Sequence, residues 1–261
     1  MISQPAGRYR FPGERRSMGS RLLVSVRSVE EAVRAVTGGA DILDVKEPDQ
    51  GSLGMASLES IQAIADQIQQ DHAQIPLSVA LGELRDWLTC EQFPQLPSAV
   101  QFAKLGLSGM ASESNWQAAW HRVRAMFSRC QPSLRWVAVA YADHVAADSP
   151  NLDEILSSAT TADEKLNAGC AGLLIDTFTK AGASLLDYYS VAGLQDIAER
   201  CHASGLFLAV AGSLTATAIR DVKAADADIV AVRSAACRNG NRRAEIDELQ
   251  VASIRKILRE K

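Results

Sequence analysis

Residues 41–48 read DILDVKEP and residues 51–54 read GSLG. The first string is an apolar β-type run that carries Asp44 and Lys46 and stops at a loop rich in proline and glycine. Residues two apart on a strand point to the same side, so these two side chains share one face. If that face is the inside of a barrel, both charges lie at the mouth of a cavity. Burying a lysine is costly unless it is paired or used chemically, so the arrangement calls for a chemical explanation.

The rest of the chain repeats this pattern, with short apolar β-type runs followed by longer segments of helical periodicity. Strands are predicted near residues 22–26, 41–45, 77–80, 100–104, 134–140, 171–176, 206–210 and 228–232. Helices are predicted near residues 28–37, 57–70, 113–129, 152–168, 190–204, 214–224 and 245–259, with a shorter one near 83–90 and a loop over 90–99. Eight strand–helix units in about 240 residues predict an α/β protein with a single (β/α)₈ TIM barrel over residues 21–261.

An open, doubly wound sheet is the alternative architecture. It would normally carry a phosphate loop after the first strand, but residues 25–28 read SVRS, so the GxGxxG motif is absent there. Continuous apolar runs such as AGLLI at 171–175 suit parallel strands that are buried on both faces.

Composition excludes several classes of protein. The chain has 261 residues, 47% of them hydrophobic, which is enough for a sizeable core. Its net charge of −4 argues against a general nucleic-acid surface. No apolar run is long enough to span a bilayer. The five cysteines form no CxxC pair and the four histidines form no HExxH motif, so we predict reduced thiols, a cytoplasmic location and no metal site.

Residues 1–20 differ from the rest of the chain. They hold four arginines up to Arg16 and no apolar core of a secretory signal. We predict a disordered N-terminal extension, or a start codon placed upstream of the real one, for which Met18 is a candidate.

In a barrel enzyme, chemistry belongs at the carboxyl ends of the strands. The polar residues predicted at those ends are Asp44, Lys46, Lys104, Asp143, Asp176 and Lys180. A Schiff-base lysine must lose its proton before it attacks a carbonyl, and a second cation nearby lowers its pKa. A carboxylate at the same point can shuttle protons. Each lysine alone could be a solvated rim charge, but three of them with matched acids favour a catalytic site.

The ends of the seventh and eighth strands suit a phosphate. Gly212 and Ser213 allow close approach of the backbone, the following helix offers its N-terminal amides, and Arg233, with Ser234 beside it, adds a fixed charge. An ordinary Gly/Ser turn is the alternative interpretation. The GSLG string could cover a phosphate or form a flexible loop.

Several strings together resemble one family. They are LLVSV at 22–26, DVKEP at 44–48, GSLG at 51–54, AKLG at 103–106, YAD at 141–143, DT at 176–177, VAGS at 210–213 and VRSAAC at 232–237. Over residues 21–250 the chain is similar to (5-formylfuran-3-yl)methyl phosphate synthases, also called 4-(hydroxymethyl)-2-furancarboxaldehyde-phosphate synthases.

The resemblance implies a (β/α)₈ lyase with an aldolase-like mechanism in the biosynthesis of methanofuran-type one-carbon carriers. Two glyceraldehyde 3-phosphates would condense through a lysine Schiff base and lose one phosphate and two waters. By motif, Lys46 matches the Schiff-base lysine, Lys104 the second active-site lysine, and Asp176 and Lys180 the acid and lysine after the sixth strand. The residues themselves do not choose between Lys46 and Lys104 as the nucleophile.

Three segments depart from the family pattern. They are the arginine-rich N-terminal extension, the segment after YAD, and RNGNRR at 238–243, which bears on the second phosphate site.

On this hypothesis Asp44, Asp143 and Asp176 are candidates for proton transfer, and Lys104 lowers the pKa of Lys46 or holds a phosphate. Lys180 would neutralise a phosphate, while Gly212, Ser213 and Arg233 would hold the retained one. The substrates are small triose phosphates, and no cofactor, nucleic acid or membrane is required; homo-oligomerisation stays open. The alternatives are another class I aldolase that acts on sugar phosphates, or a non-catalytic phosphate-binding barrel.

Overall fold

A closed barrel of eight parallel strands forms the centre of the molecule. The computed structural model describes residues 19–161, 169–180 and 182–260. Strands follow one another around the barrel in sequence order, and β8 pairs with β1 to close it. They are β1 (Arg21–Val26), β2 (Ile42–Val45), β3 (Leu77–Glu83), β4 (Val100–Gly106), β5 (Arg135–Tyr141), β6 (Gly172–Asp176), β7 (Phe207–Val210) and β8 (Ile229–Val232). The predicted TIM barrel is confirmed.

Helices surround the barrel at nearly all of the predicted positions. They are α1 (Val29–Thr37), α2 (Leu58–Asp71), α3 (Trp116–Cys130), α4 (His144–Ala147), α5 (Leu152–Thr160), α6 (Val191–Ala203), α7 (Ala216–Lys223) and α8 (Glu248–Arg259). Most of them begin at a Ser, Thr, Asn or Asp whose side chain accepts a hydrogen bond from the first turn, as Ser57 does for α2 and Asp247 for α8.

Three segments differ from the prediction. The helix predicted near 83–90 is only a 3₁₀ turn over Leu84–Trp87. The one-turn helix α4 was not predicted. The helix predicted over 152–168 ends at Thr160, and residues 162–168 lie outside the described residues, as do residues 1–18 of the predicted extension.

The inside of the barrel is layered. Side chains two residues apart on one strand enter consecutive layers. A lower apolar layer contains Leu23, Ile42, Phe102 and Leu174, and all of them are buried. Two residues further along the same strands lie Ser25, Asp44, Lys104 and Asp176, which are buried polar groups at the carboxyl ends. The alternation therefore places an apolar floor beneath a charged mouth.

Within the described part of the chain, no helix is both long and apolar enough to cross a bilayer.

The tight inner packing predicts the effect of a change at Gly172. A Cβ there would lie 2.3 Å from the ring of Phe207, its partner on the neighbouring strand. Gly172→Ala is expected to destabilise the fold by about 1–3 kcal/mol through overpacking, and each kcal/mol corresponds to about 2–4 °C in Tm for a chain of this size. Thermal melting measures the change.

Gly193→Ala is the matched control. A Cβ at Gly193, in the first turn of α6, would approach no described atom closer than 3.4 Å. Because alanine favours a helix more than glycine does, this variant is expected to melt at or above the wild-type temperature. A Gly172→Ala protein that melts with the wild type would contradict the packing described here.

Candidate active site

Lys104 and Asp44 form a buried ion pair at the barrel mouth. Lys104 ends up inside the barrel because it follows Phe102 by two residues on β4, and it is only 3% exposed. Its Nζ donates to Asp44 Oδ1. Asp44 Oδ2 in turn accepts a hydrogen bond of 3.3 Å from Ser25 Oγ on β1. Both charges of this pair are therefore matched within the protein.

A second matched pair lies at the end of β6. Lys180 Nζ donates to Asp176 Oδ1 at 2.6 Å, and Ser52 Oγ donates to Asp176 Oδ2 at 3.0 Å. Burial alone would raise the pKa of Asp176, but the charges of Lys180 and Lys46 and the hydrogen bonds from Lys180 and Ser52 outweigh it. The pKa of Asp176 is consequently below its usual value, and this carboxylate stays ionised at neutral pH.

Lys46 differs from the other two lysines. It is 8% exposed, and its Nζ donates to the backbone oxygen of Ser52 at 3.2 Å. Among the described residues, no carboxylate lies within ion-pair distance of it. The pKa of Lys46 is lowered from 10.5 to about 8. Burial is the largest cause, the charges of Lys180 and Lys104 act in the same direction, and the carboxylates of Asp176 and Asp44 oppose them. At pH 7 about a tenth of the amine is then unprotonated.

These groups line one cavity of about 870 Å³, a volume that includes the space open to solvent at its mouth. Of the residues selected from the sequence, the cavity lining contains Asp44, Lys46, Lys104, Asp176, Lys180, Gly212, Ser213, Arg233 and Ser234. The structure therefore brings together nine of the ten predicted site residues.

Asp143 is the exception. Its carboxylate accepts hydrogen bonds from the backbone N–H groups of Phe178 at 2.6 Å and Thr179 at 2.8 Å. Asp143 thereby holds the loop that leads to Lys180, and it is not part of the cavity lining. This geometry is that of a positioning residue rather than a group that exchanges protons with a ligand.

The turn after β7 presents its backbone to the cavity. Gly212 has a φ of +109°, and a Cβ there would lie 2.9 Å from Thr177 Cγ2, so only glycine fits. Helix α7 begins shortly after, with Thr215 as its N-cap. No acceptor for the backbone N–H groups of Ser213 and Leu214 is found in the described part of the chain. The turn therefore offers donors and a helix N-terminus to an anion.

Arg233 lies at the cavity wall, but its donors are occupied by the protein. Its Nη1 donates to Ser25 O at 3.0 Å and to Glu31, and its Nη2 donates to Glu31 and to Ala244 O at 3.1 Å. Its Nε donates to Arg242 O at 3.0 Å. These bonds account for all five N–H groups of a guanidinium. The geometry is that of an anchor for the loop after β8, not of a phosphate ligand.

Sequence reasoning missed Arg242 and the role of Ser52. Arg242 is half-buried, lines the cavity and donates from Nη2 to the backbone oxygens of Pro48 at 3.1 Å and Gly51 at 3.2 Å. Ser52 is buried and bridges Lys46 to Asp176. The sequence does show the basic string at 238–243 and the GSLG string at 51–54. It does not show the direction in which their side chains point.

Within the residues that the structure describes, no group of three or more His, Cys, Asp or Glu side chains is arranged to hold a metal ion.

The fold and the site together define a (β/α)₈ barrel with buried lysines and carboxylates at its carboxyl-end mouth. A model of the 4-HFC-P synthase family matches residues 22–255. The (5-formylfuran-3-yl)methyl phosphate synthase of Methanococcus maripaludis strain C5 is 32% identical over 224 residues, which cover 85% of this chain and 91% of the relative. The synthase of the same name from Methanocaldococcus jannaschii is 32% identical over 226 residues, covering 85% of this chain and 92% of the relative.

The chain belongs to the 4-HFC-P synthase family, which confirms the resemblance seen in the sequence, and its relatives are named as enzymes. Among solved structures, the thiamine phosphate pyrophosphorylase of Pyrococcus furiosus is similar with a TM-score of 0.54 and 16% identity. The match covers 92% of this chain and 95% of that protein. At this identity the likeness extends to the fold alone.

The buried Lys104–Asp44 pair leads to a stability prediction. Asp44→Asn would leave the Lys104 ammonium buried without its counter-ion, which typically destabilises a protein by about 3–5 kcal/mol. Thermal melting at pH 7 is expected to show the loss as a lower Tm.

The double variant Asp44→Asn/Lys104→Met is the control, because it removes both charges. It is expected to recover most of the lost stability. Equal melting temperatures for Asp44→Asn and the wild type would show that the pair does not form in solution.

Proposed function

We propose that the protein is a (5-formylfuran-3-yl)methyl phosphate synthase. It would condense two glyceraldehyde 3-phosphates through a Schiff base on Lys46, in the biosynthesis of methanofuran-type one-carbon carriers. The observation that carries the proposal is the state of Lys46, a buried amine with a pKa of about 8 whose neighbouring lysines are both paired with carboxylates. Membership of a family whose relatives bear this name supports the choice of reaction.

The first step is attack by the neutral amine of Lys46 on the substrate carbonyl. A C–N bond forms, and water leaves once the carbinolamine oxygen has been protonated, which yields an iminium ion. The iminium nitrogen stays positive and draws electrons from the adjacent carbon, so a proton there becomes acidic. The proposed base is Asp176, which lies at the same mouth and is ionised at neutral pH. Its Oδ2 accepts a hydrogen bond of 3.0 Å from Ser52 Oγ.

The later steps are aldol addition to the second triose, ring closure and eliminations. Two triose phosphates minus one phosphate and two waters give the composition of the furan aldehyde phosphate, so no oxidant or reductant is needed. Each elimination needs a proton donor for the leaving oxygen. The elimination that releases phosphate also needs a positive charge beside the leaving group. We assign the first role to the Asp44–Lys104 pair and the second to Lys180, since all three groups line the cavity.

The retained phosphate is assigned to the turn after β7. Gly212 lets the backbone approach closely, and the N–H groups of Ser213 and Leu214 precede the N-terminus of α7. In this proposal Arg233 acts indirectly, because it holds the loop after β8 and spends its donors on protein groups.

The test uses glyceraldehyde 3-phosphate as the only substrate. The wild type is expected to release about one phosphate for each furan aldehyde formed, with the furan followed by its ultraviolet absorbance and by mass spectrometry. Lys46→Met is expected to lower the rate at least ~10³-fold, as the loss of a covalent nucleophile does in other enzymes.

Lys256→Met is the matched control, because Lys256 lies exposed on α8 and outside the cavity lining. It is expected to retain the wild-type rate. A triose adduct on Lys46 without any furan would point instead to another class I aldolase. Folded protein that forms neither adduct nor furan would leave only a phosphate-binding barrel and would refute the proposal.

A further inference from the structure

The cations around the cavity are not all matched by carboxylates. Three of them form buried or partly buried ion pairs: Lys104 with Asp44, Lys180 with Asp176, and Arg233 with Glu31. Arg242 also lines the cavity, yet it forms no ion pair with any carboxylate of the described residues. Because a half-buried guanidinium without a counter-ion is costly, this corner of the cavity is suited to an anionic ligand.

Arg242 has donors left for such a ligand. A guanidinium carries five N–H groups, and the two hydrogen bonds of Arg242, to Pro48 O and Gly51 O, both come from Nη2. No acceptor for its Nε and Nη1 is found in the part of the chain that the structure describes. Each of these N–H groups is left to donate a charge-assisted hydrogen bond to a phosphate oxygen.

The backbone at Arg242 is also held in place, by Arg233. Arg233 donates to Arg242 O at 3.0 Å and to Ala244 O at 3.1 Å, and Glu31 neutralises Arg233. A charged side chain fixed at both ends loses little freedom when a ligand binds, which favours affinity.

Arg242 also reaches the catalytic lysine through one loop. Its Nη2 donates hydrogen bonds to the backbone oxygens of Pro48 and Gly51. Ser52 follows Gly51 directly; its backbone oxygen accepts a hydrogen bond from Lys46 Nζ, and its hydroxyl donates one to Asp176. A ligand bound to the guanidinium is therefore connected to the amine of Lys46 through the loop at 48–52.

We propose that Arg242 binds a phosphate group of the triose substrate and makes the site select phosphorylated over unphosphorylated aldehydes. The identity of the aldehyde rests on the proposed function. A reaction that joins two triose phosphates needs places for two phosphates, and the turn at Gly212–Leu214 supplies only one of them. Arg242 supplies the other together with Lys180, to which the leaving phosphate is assigned above, and both side chains line the cavity.

The experiment compares two aldehydes that differ only in the phosphate. The rate of borohydride trapping at Lys46 is measured by peptide mass spectrometry with glyceraldehyde 3-phosphate and with glyceraldehyde, both at concentrations where the rate is proportional to aldehyde. The quantity compared is the ratio of the two rates. A displaced 48–51 loop would slow both aldehydes alike, so it cancels in this ratio.

Arg242→Gln is expected to lower the ratio by roughly tenfold to a hundredfold, the usual effect of losing a charge-assisted hydrogen bond. Arg243→Gln is the matched control. Arg243 pairs with Asp49 of the same loop at 2.8 Å, but it is 73% exposed and outside the cavity lining. This variant is expected to keep the ratio within about twofold of the wild type, since its charge is screened by solvent.

An unchanged ratio in folded Arg242→Gln, with both rates reduced, would overturn the proposal and reduce Arg242 to a loop support. If Arg242→Gln does not fold, Arg242→Lys replaces it, because lysine keeps the charge and loses the Nε and Nη1 donors. It is expected to lower the ratio by about threefold or more, and an unchanged ratio contradicts the proposal.

The failure of the proposed function would look different. If one or both aldehydes are not trapped at Lys46 of the wild type, the binding of inorganic phosphate is measured by calorimetry instead. The affinities of the wild type and of Arg242→Gln are then compared. A loss of affinity of about tenfold or more supports the role of Arg242, and equal affinities overturn it.

Discussion

The site depends on the burial of one ammonium group that has no carboxylate of its own. Lys46 is almost completely removed from water, and removal from water is the largest cause of its lowered pKa. Asp44 and Asp176 lie close enough to oppose this effect, but each is already engaged by another lysine. The two ion pairs therefore keep the mouth close to neutral, and the barrel interior rather than any single partner sets the protonation of Lys46.

This arrangement costs stability. At about 1.36 kcal/mol for each pKa unit, lowering the pKa of Lys46 from 10.5 to about 8 corresponds to roughly 3 kcal/mol at neutral pH. Between pH 8 and 10.5 the folded protein has released this proton while the unfolded chain still binds it, so this contribution makes stability rise with pH in that window. The apolar layer of Leu23, Ile42 and Phe102 beneath the mouth, and the helices around the barrel, must offset the cost.

The sequence predicts the architecture well because its signals are local. Parallel strands with apolar runs, helical periodicity between them and eight repeats lead to a barrel, and the strand ends then meet at one mouth. That logic correctly brings Lys46, Lys104 and Asp176 together. It cannot distinguish Lys46 from Lys104, since the difference between them depends on which lysine pairs with Asp44. It also assigns phosphate binding to Arg233, whose partner Glu31 lies 202 residues away, and passes over Arg242, whose direction is set by loop contacts.

The most direct test of this account is the pKa of Lys46 itself, measured by NMR on protein labelled at the lysine Cε and Nζ atoms. Lys46→Met identifies the resonance by its absence, and the titration runs from pH 6 to beyond the ordinary lysine range. The account predicts a midpoint near 8. A midpoint at about 10.5, the ordinary value for a lysine, would mean that burial does not keep the amine poised for attack, and the account would be contradicted.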